Sequence, residues 1–246
     1  MTDVVEVDVV RADLAEIDDW GALRDALSPD ERLRADGYKV QEARDVFTLA
    51  RGLLRIELAS RLGVSPAGIA FDLRPSGKPD LRTPGQGGRD WRFSVSHAGP
   101  HTVLAFARGV EVGIDIERAD RTVNPLQIAT RYFTDREAGA LAALPEAELR
   151  RAFFAGWTRK EAIVKARGTT MAQSLKVISV DLDPDATEPH FHDGAKSPDQ
   201  RPCRLAAFTM APPHLVGALA VLSSDRPQLR FSVRSPTDLR LAFPRL

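Results

Sequence analysis

The chain has 246 residues, with 34 basic and 34 acidic side chains and a formal net charge of zero, a length that suits one large domain or two small ones around a sizeable core. Hydrophobic residues make up 43% and charged residues 28%, globular values that argue against wholesale disorder, while the cancelled charge argues against a generic nucleic-acid coat, which needs a basic excess to displace counterions. Cys203 is the only cysteine, which excludes an intramolecular disulfide, a CxxC pair and a thiolate zinc site, and no window approaches the roughly 18 apolar residues of a membrane span.

The first twenty residues carry acids every few positions and no apolar run, so no signal peptide is expected and a cytoplasmic location is the default. Val4–Val10 is rich in valine and predicts a strand, followed by a helix-like stretch over Trp20–Leu27. Ser28-Pro29-Asp30-Glu31 is a helix start, with a Ser cap, Pro at the first position and acids at the positive dipole end. Residues 41–62 predict a long helix from the spacing of Val46, Leu49, Leu53, Leu54 and Ile56. Ser76-Gly-Lys-Pro-Asp is a turn and Arg82–Asp90 a loop. Strands are expected over Trp91–Val95, Thr102–Ala107 and Glu111–Ile116. Helical pattern then runs from Pro125, breaks near Pro145 and returns over 146–167. Asp181–Pro202, with four prolines, predicts a long turn or flexible insertion, and strands follow at 204–210 and 215–222, with a partly extended tail after Pro227.

A faint duplication runs through this pattern. Val7–Asp13 matches Ile114–Asp120, Arg44 and Phe47 match Arg150 and Phe153, and Pro100-His101 opens a segment like that after Pro213-His214, all in one order. It predicts an α+β fold of two similar halves, residues 1–109 and 110–246, related by a pseudo-twofold with a ligand cleft between them.

Three constellations could carry chemistry. In Gly113-Ile-Asp115-Ile-Glu117, residues two apart on a strand share a face, so two carboxylates could hold Mg2+; a solvated acidic edge reads the same way. From Leu149 to Lys176 there are seven Lys/Arg and one acid, Glu161, which shares a helical stripe with Trp157 and Lys165. Glu161 and Lys165 could be a surface ion pair, but a lone carboxylate in a basic helix also suits a metal ligand or base. Phe93-Ser-Val-Ser96-His97 could bind phosphate, as could Lys78 and the helical Arg44, Arg51 and Arg55, unless these merely solvate the helix. No G-x-S-x-G surrounds the serines, Gly85-Gln-Gly-Gly lacks a Rossmann context, Gly77-Lys78 lacks the rest of a P-loop, and His190-Phe-His192 lacks further ligands.

Taken in order, Gly-Ile-Asp115-Ile-Glu117, Arg131-Tyr-Phe133-Thr-x-x-Glu137 and Trp157-Thr-Arg-Lys160-Glu161-Ala162-x-x-Lys165 resemble the 4′-phosphopantetheinyl transferases, with Gly-Lys78-Pro and Phe-Ser-Val-Ser96-His97 upstream. The likeness is to the larger, pseudo-dimeric surfactin-type (Sfp) branch, and its motifs cover about residues 40–180. It implies transfer of the phosphopantetheine arm of coenzyme A to a serine hydroxyl of an acyl, peptidyl or aryl carrier protein. The transfer releases 3′,5′-ADP, as in a holo-[acyl-carrier-protein] synthase, within polyketide or nonribosomal-peptide metabolism.

By the same resemblance, Asp115, Glu117 and Glu161 hold Mg2+ (or Mn2+), Glu161 is the base for the carrier serine, directly or through a water of the metal shell, and Lys165 stabilises pyrophosphate charge with Lys160 assisting. Arg44, Lys78 and His97 hold the nucleotide end with Ser96 as a supporting donor, and Arg51 belongs to the same region. Ser94 stands where many relatives have Asn. The chain is expected to act as a monomer and to dock an acidic carrier surface through Arg150, Arg151, Arg159 and Arg167. The alternatives are a Mg2+-dependent phosphohydrolase acting on a nucleotide and a non-catalytic binding module.

Overall fold

The structure is a computed structural model; it describes residues 4–82, 90–194, 199, 201–210, 215–223 and 228–234. Its elements follow one scheme twice. The first pass is strand β1 (Val4–Asp13), helices α1 (Trp20–Ala26), α2 (Pro29–Asp36) and the 22-residue α3 (Gln41–Leu62), hairpin β2–β3 (Ala70–Leu73, Pro79–Arg82) and hairpin β4–β5 (Trp91–Ala98, His101–Arg108). The second is β6 (Val112–Arg118), α4 (Pro125–Tyr132), α5 (Asp135–Ala142), the 22-residue α6 (Glu146–Arg167), a short α7 (Met171–Ser174), hairpin β7–β8 (Ile178–Val180, Phe191–Asp193) and hairpin β9–β10 (Cys203–Met210, Leu215–Leu222). A last strand, β11 (Gln228–Arg234), returns to pair parallel with β1.

Each 22-residue helix ends at a left-handed glycine with φ of 66°, Gly63 and Gly168, a conformation that side chains with a Cβ resist. The strands form two main sheets, ordered β11-β1-β5-β4 and β6-β10-β9. Period-two alternation sorts their faces. Val7 and Val9 of β1, Val103, Ala105 and Ala107 of β5, and Val112, Ile114 and Ile116 of β6 share one core between the sheets. Val10, Leu104 and Phe106 point the other way, against Leu49, Leu53 and Leu58 of α3. Ala218 and Ala220 of β10 likewise meet Ala162, Ile163 and Ala166 of α6.

Between the sheets, β4 and β6 lie edge to edge. Their edges are joined by side chains, with Ser94 Oγ accepting the Ile114 amide at 3.0 Å and Ser96 Oγ accepting the Ile116 amide at 3.3 Å.

Several expectations change in detail. The helical run from Pro125 breaks at Phe133–Thr134, because Thr134 and Glu137 form a reciprocal capping box that starts α5. The Ser76 turn is the tip of hairpin β2–β3, whose strands the periodicity does not reveal. The described part of 181–202 is not a loose insertion. Phe191–Asp193 forms β8 against β7, and Arg159 donates to the carbonyls of Asp181 (2.7 Å), Asp183 (2.8 Å) and Ala186 (3.0 Å). Most of the Arg82–Asp90 loop, the Pro213-His214 match, and the tail beyond residue 234 lie outside the described residues.

Candidate active site

The alternation that sends Ile114 and Ile116 into the inter-sheet core turns Gly113, Asp115 and Glu117 toward α6. Gly113 is what lets α6 come close. A Cβ at this position would overlap the Ala162 carbonyl and the Ala166 amide, and on the helix side Ala162 and Ala166 are fully buried small residues. The close approach lays Glu161 and Lys165, which flank those alanines, beside Asp115.

Lys165 Nζ stands 2.6 Å from Asp115 Oδ1 and 3.8 Å from Glu161 Oε2, and donates to Ser96 Oγ at 3.2 Å. Ser96 in turn donates to Asp115 Oδ1 at 2.8 Å. Glu117 takes a different cation: Arg121 Nη1 donates to its two oxygens at 3.1 and 3.0 Å. Burial pushes the Glu161 carboxyl up to about 7, with the Asp115 charge adding to the rise and Lys165 opposing it. Burial also raises Glu117, against the pull of Arg121. His97, one residue past Ser96 on β4, has its pKa lowered by desolvation and then by the Lys165 charge, with Asp115 opposing.

A cleft of about 550 Å3 opens beside this cluster, lined by Lys78, Phe93 and Ser94 from one side and Glu161, Lys165 and Met171 from the other. Lys78 reaches across it: its ammonium donates to the Val112 and Lys165 carbonyls, each at 2.9 Å. Burial lowers its pKa to about 8, with Glu111 opposing.

Asp115, Glu117, Glu161, Lys165, Ser96 and His97 are thus brought into one neighbourhood, with Lys78 on the cleft wall. Other expected residues are placed differently. Lys160, expected to assist Lys165 at the pyrophosphate, is fully buried; its ammonium meets Glu137 Oε2 at 2.7 Å, the Leu175 carbonyl at 2.7 Å and the Ile178 carbonyl, leaving no donor for a ligand. Arg51 pairs with Glu31 at 3.4 Å and lies over the Phe71 ring, and Arg55 does the same from a buried position. Arg44 donates to the Tyr38 carbonyl at 3.1 Å. Arg44, Arg51 and Arg55 are therefore not one open anion face. Of the expected docking arginines, Arg159 is buried under the 181–186 segment and Arg167 is buried against Asp193 at 2.6 Å. Arg150 and Arg151 remain nearer the surface, on the Arg121 carbonyl and Asp185.

Sequence reasoning missed Arg121, although its spacing of four from Glu117 was visible. The spacing carries meaning on a helix, and here it spans a strand end and a turn.

Among the described residues no group of three His, Cys, Asp or Glu side chains is drawn together as a finished metal-ligand set, and His190 and His192 form none. The donors around Asp115 nonetheless suit a hard divalent cation. Asp115 Oδ2 is buried with no hydrogen-bond partner, and the charges of Asp115 and Glu117 both press on Glu161, a repulsion that a cation among them relieves.

The sequence model of the 4′-phosphopantetheinyl transferase superfamily matches residues 111–205, a span that holds β6 and α6. A 4′-phosphopantetheinyl transferase of Nostoc, HetI, is 38% identical over 165 residues, covering 66% of this chain and 67% of its own. The Bacillus subtilis transferase Sfp is 26% identical over 198 residues, covering 79% of this chain and 82% of its own. A looser likeness, at a TM-score of 0.38 and 26% identity, is to the crystal structure of a Bacillus anthracis holo-(acyl-carrier-protein) synthase in complex with CoA (3′,5′-ADP), over 47% of this chain and 98% of that one. With the superfamily model spanning β6 and α6, and with HetI 38% identical over about two thirds of both proteins, the chain belongs to the 4′-phosphopantetheinyl transferase superfamily.

Proposed function

We propose that the chain transfers the 4′-phosphopantetheine arm of coenzyme A to a serine hydroxyl of a carrier protein and releases 3′,5′-ADP. The observation that supports this most is the cluster at the β4–β6 edge: the Glu161 carboxylate and the Lys165 ammonium, 3.8 Å apart, side by side at the mouth of the cleft. A proton acceptor whose pKa burial raises, next to a fixed positive charge, suits a hydroxyl that attacks a phosphoanhydride.

In this reading Glu161 takes the serine proton as the serine oxygen bonds to the phosphorus bearing the pantetheine arm. The bond from that phosphorus to the bridging oxygen breaks, and the electron pair leaves with 3′,5′-ADP. Lys165 faces the oxygens on which charge accumulates, while Ser96 and Asp115 fix its ammonium. Asp115, Glu117 and Glu161 would hold Mg2+ or Mn2+, and such a cation supplies neutralisation of pyrophosphate charge. His97 and Lys78 border the nucleotide end, with the Lys78 ammonium also serving the Val112 and Lys165 carbonyls.

The functional halves in this proposal are residues 1–109 and 110–246. The first supplies Lys78, Ser96 and His97, and the second supplies the carboxylates and Lys165. A monomer therefore has the whole site, and a surfactin-type breadth of carriers fits the Sfp likeness.

The test offers purified apo-carrier proteins with coenzyme A and Mg2+ and follows intact carrier mass. The expected result is a gain of one phosphopantetheine, reduced about 10²- to 10⁴-fold by Glu161→Gln. Undiminished transfer by that variant removes Glu161 from the chemistry. Turnover of coenzyme A with no modified carrier points instead to a phosphohydrolase.

A further inference from the structure

We propose that Arg121 sets the cluster's affinity for a divalent cation, by acting as an internal counter-ion on Glu117 that an incoming cation must displace. The inference rests on the reading of Asp115, Glu117 and Glu161 as the cation site. It concerns a residue that neither the sequence motifs nor the proposed chemistry uses.

Three observations carry it. First, the contact engages both Glu117 oxygens, at 3.1 and 3.0 Å, so the donor atoms a cation would take are the ones Arg121 occupies. Second, the two partners differ in freedom: the Glu117 side chain is 16% exposed and that of Arg121 is 54% exposed. The half-buried carboxylate has less room to turn to water than the guanidinium, which can swing out into solvent at little cost. Third, the Arg121 backbone is held in place. Its amide donates to the Arg118 carbonyl at 3.1 Å, and its carbonyl accepts from Arg150 on α6 at 2.6 Å. The neighbouring cation, Arg118, is occupied with Asp120 through two bonds of 3.0 and 2.8 Å.

Arg121 therefore keeps Glu117 charged and paired, and withdraws when a stronger charge arrives. A monovalent ion offers a single charge and no fork, and so competes poorly with a guanidinium; the arrangement favours divalent ions.

The experiment measures Mn2+ binding to the full chain without coenzyme A, by calorimetry and by the electron paramagnetic resonance signal of free Mn2+. Arg121→Gln should tighten binding about three- to fivefold at low salt, the size expected of a partly exposed ion pair, and Arg121→Glu should tighten it further. Arg121→Lys should stay near the native affinity, and the native–Gln difference should shrink in about 0.5 M salt. Thermal melts establish that each variant is folded. A folded Arg121→Gln that binds Mn2+ equally or more weakly, while Glu117→Gln abolishes binding, overturns the role of Arg121 alone. Mn2+ binding that is indifferent to Glu117→Gln and Glu161→Gln overturns the cation site and the inference together.

Discussion

Lys160 and Glu161 are neighbours in sequence, and the structure gives them opposite fates, which can be separated by substitution. Lys160→Met removes the ammonium and keeps most of the side-chain volume. Glu137, 3% exposed at its side chain, then faces the interior with its counter-charge gone, and the Leu175 and Ile178 carbonyls lose their donor. Breaking a buried pair from one side costs about 3–5 kcal/mol, so about 4 kcal/mol is expected once the methionine packing is allowed for. For a chain of this size each kcal/mol moves the melting temperature by about 2–4 °C, so a fall of roughly 8–16 °C follows. Glu137 also accepts the Val180 amide at 2.8 Å and caps Thr134, so the loss loosens α5, α6 and the approach to β7 together. The double variant Lys160→Met/Glu137→Gln, which removes both charges, should recover part of the loss, with a coupling of about 2 kcal/mol in the double-mutant cycle. The assay pairs thermal melts with coenzyme A affinity measured by calorimetry well below the transition. The affinity should change less than about threefold, a free-energy change under about 1 kcal/mol. A Lys160→Met protein that melts like the native chain but binds coenzyme A about tenfold more weakly refutes the reasoning and returns Lys160 to the ligand.

Two further substitutions probe how the site is built. Gly113→Ala forces β6 and α6 apart, with an expected cost of about 3 kcal/mol for overpacking and a loss of transfer of about 10²-fold from a displaced Lys165–Asp115 contact; a variant stable and active as the native chain would mean the helix yields freely. Lys78 binds its proton more weakly in the folded chain, with a pKa of about 8 against 10.5, so between those values the unfolded chain carries a proton that the folded one lacks. Stability should therefore rise with pH through that window, by up to about 3 kcal/mol, with the full penalty present below pH 8. Lys78→Met should flatten this slope in urea midpoints measured from pH 7.5 to 10.5, and an unaltered slope would assign the proton elsewhere.

Local rules made much of the chain legible. The α3 bounds follow from apolar spacing, the Ser28 start from its cap, and the common face of Asp115 and Glu117 from strand alternation. What stayed hidden depends on tertiary partners. The composition of α6 reads as a basic surface, yet Arg159, Lys160 and Arg167 are buried because carbonyls and acids from 137, 175–186 and 193 come in to meet them. A charged residue announces a need for a partner, and sequence does not say whether water or protein meets that need. The short hairpins β2–β3 and β7–β8 were hidden for a related reason: strands of three or four residues are too brief to display an alternation.

The two halves treat the same strand position differently. Asp8 occupies the place in β1 that Asp115 occupies in β6, and it too meets a cation from the long helix beside it, Arg61, at 2.9 Å. Arg61 also pairs with Glu57 four residues earlier, as Lys165 does with Glu161. The two clusters then diverge at three points. Val10, fully buried, stands where β6 has Glu117, so the second strand carboxylate is absent from the first half. Arg61 lies over the Phe106 ring at 4.1 Å and the Trp91 ring at 5.4 Å, contacts that hold its guanidinium against aromatic side chains. Glu57 is 2% exposed at its side chain where Glu161 is 18% exposed, so the carboxylate that pairs with the helix cation in the first half is sealed from any acceptor. A stacked arginine with a sealed glutamate makes a structural ion pair, whereas Lys165 hangs on one serine and one aspartate and its glutamate lines a cleft. The Lys165 cluster draws on both halves: the serine that steadies Lys165 comes from β4, and the same hydroxyl accepts the Ile116 amide that joins β4 to β6.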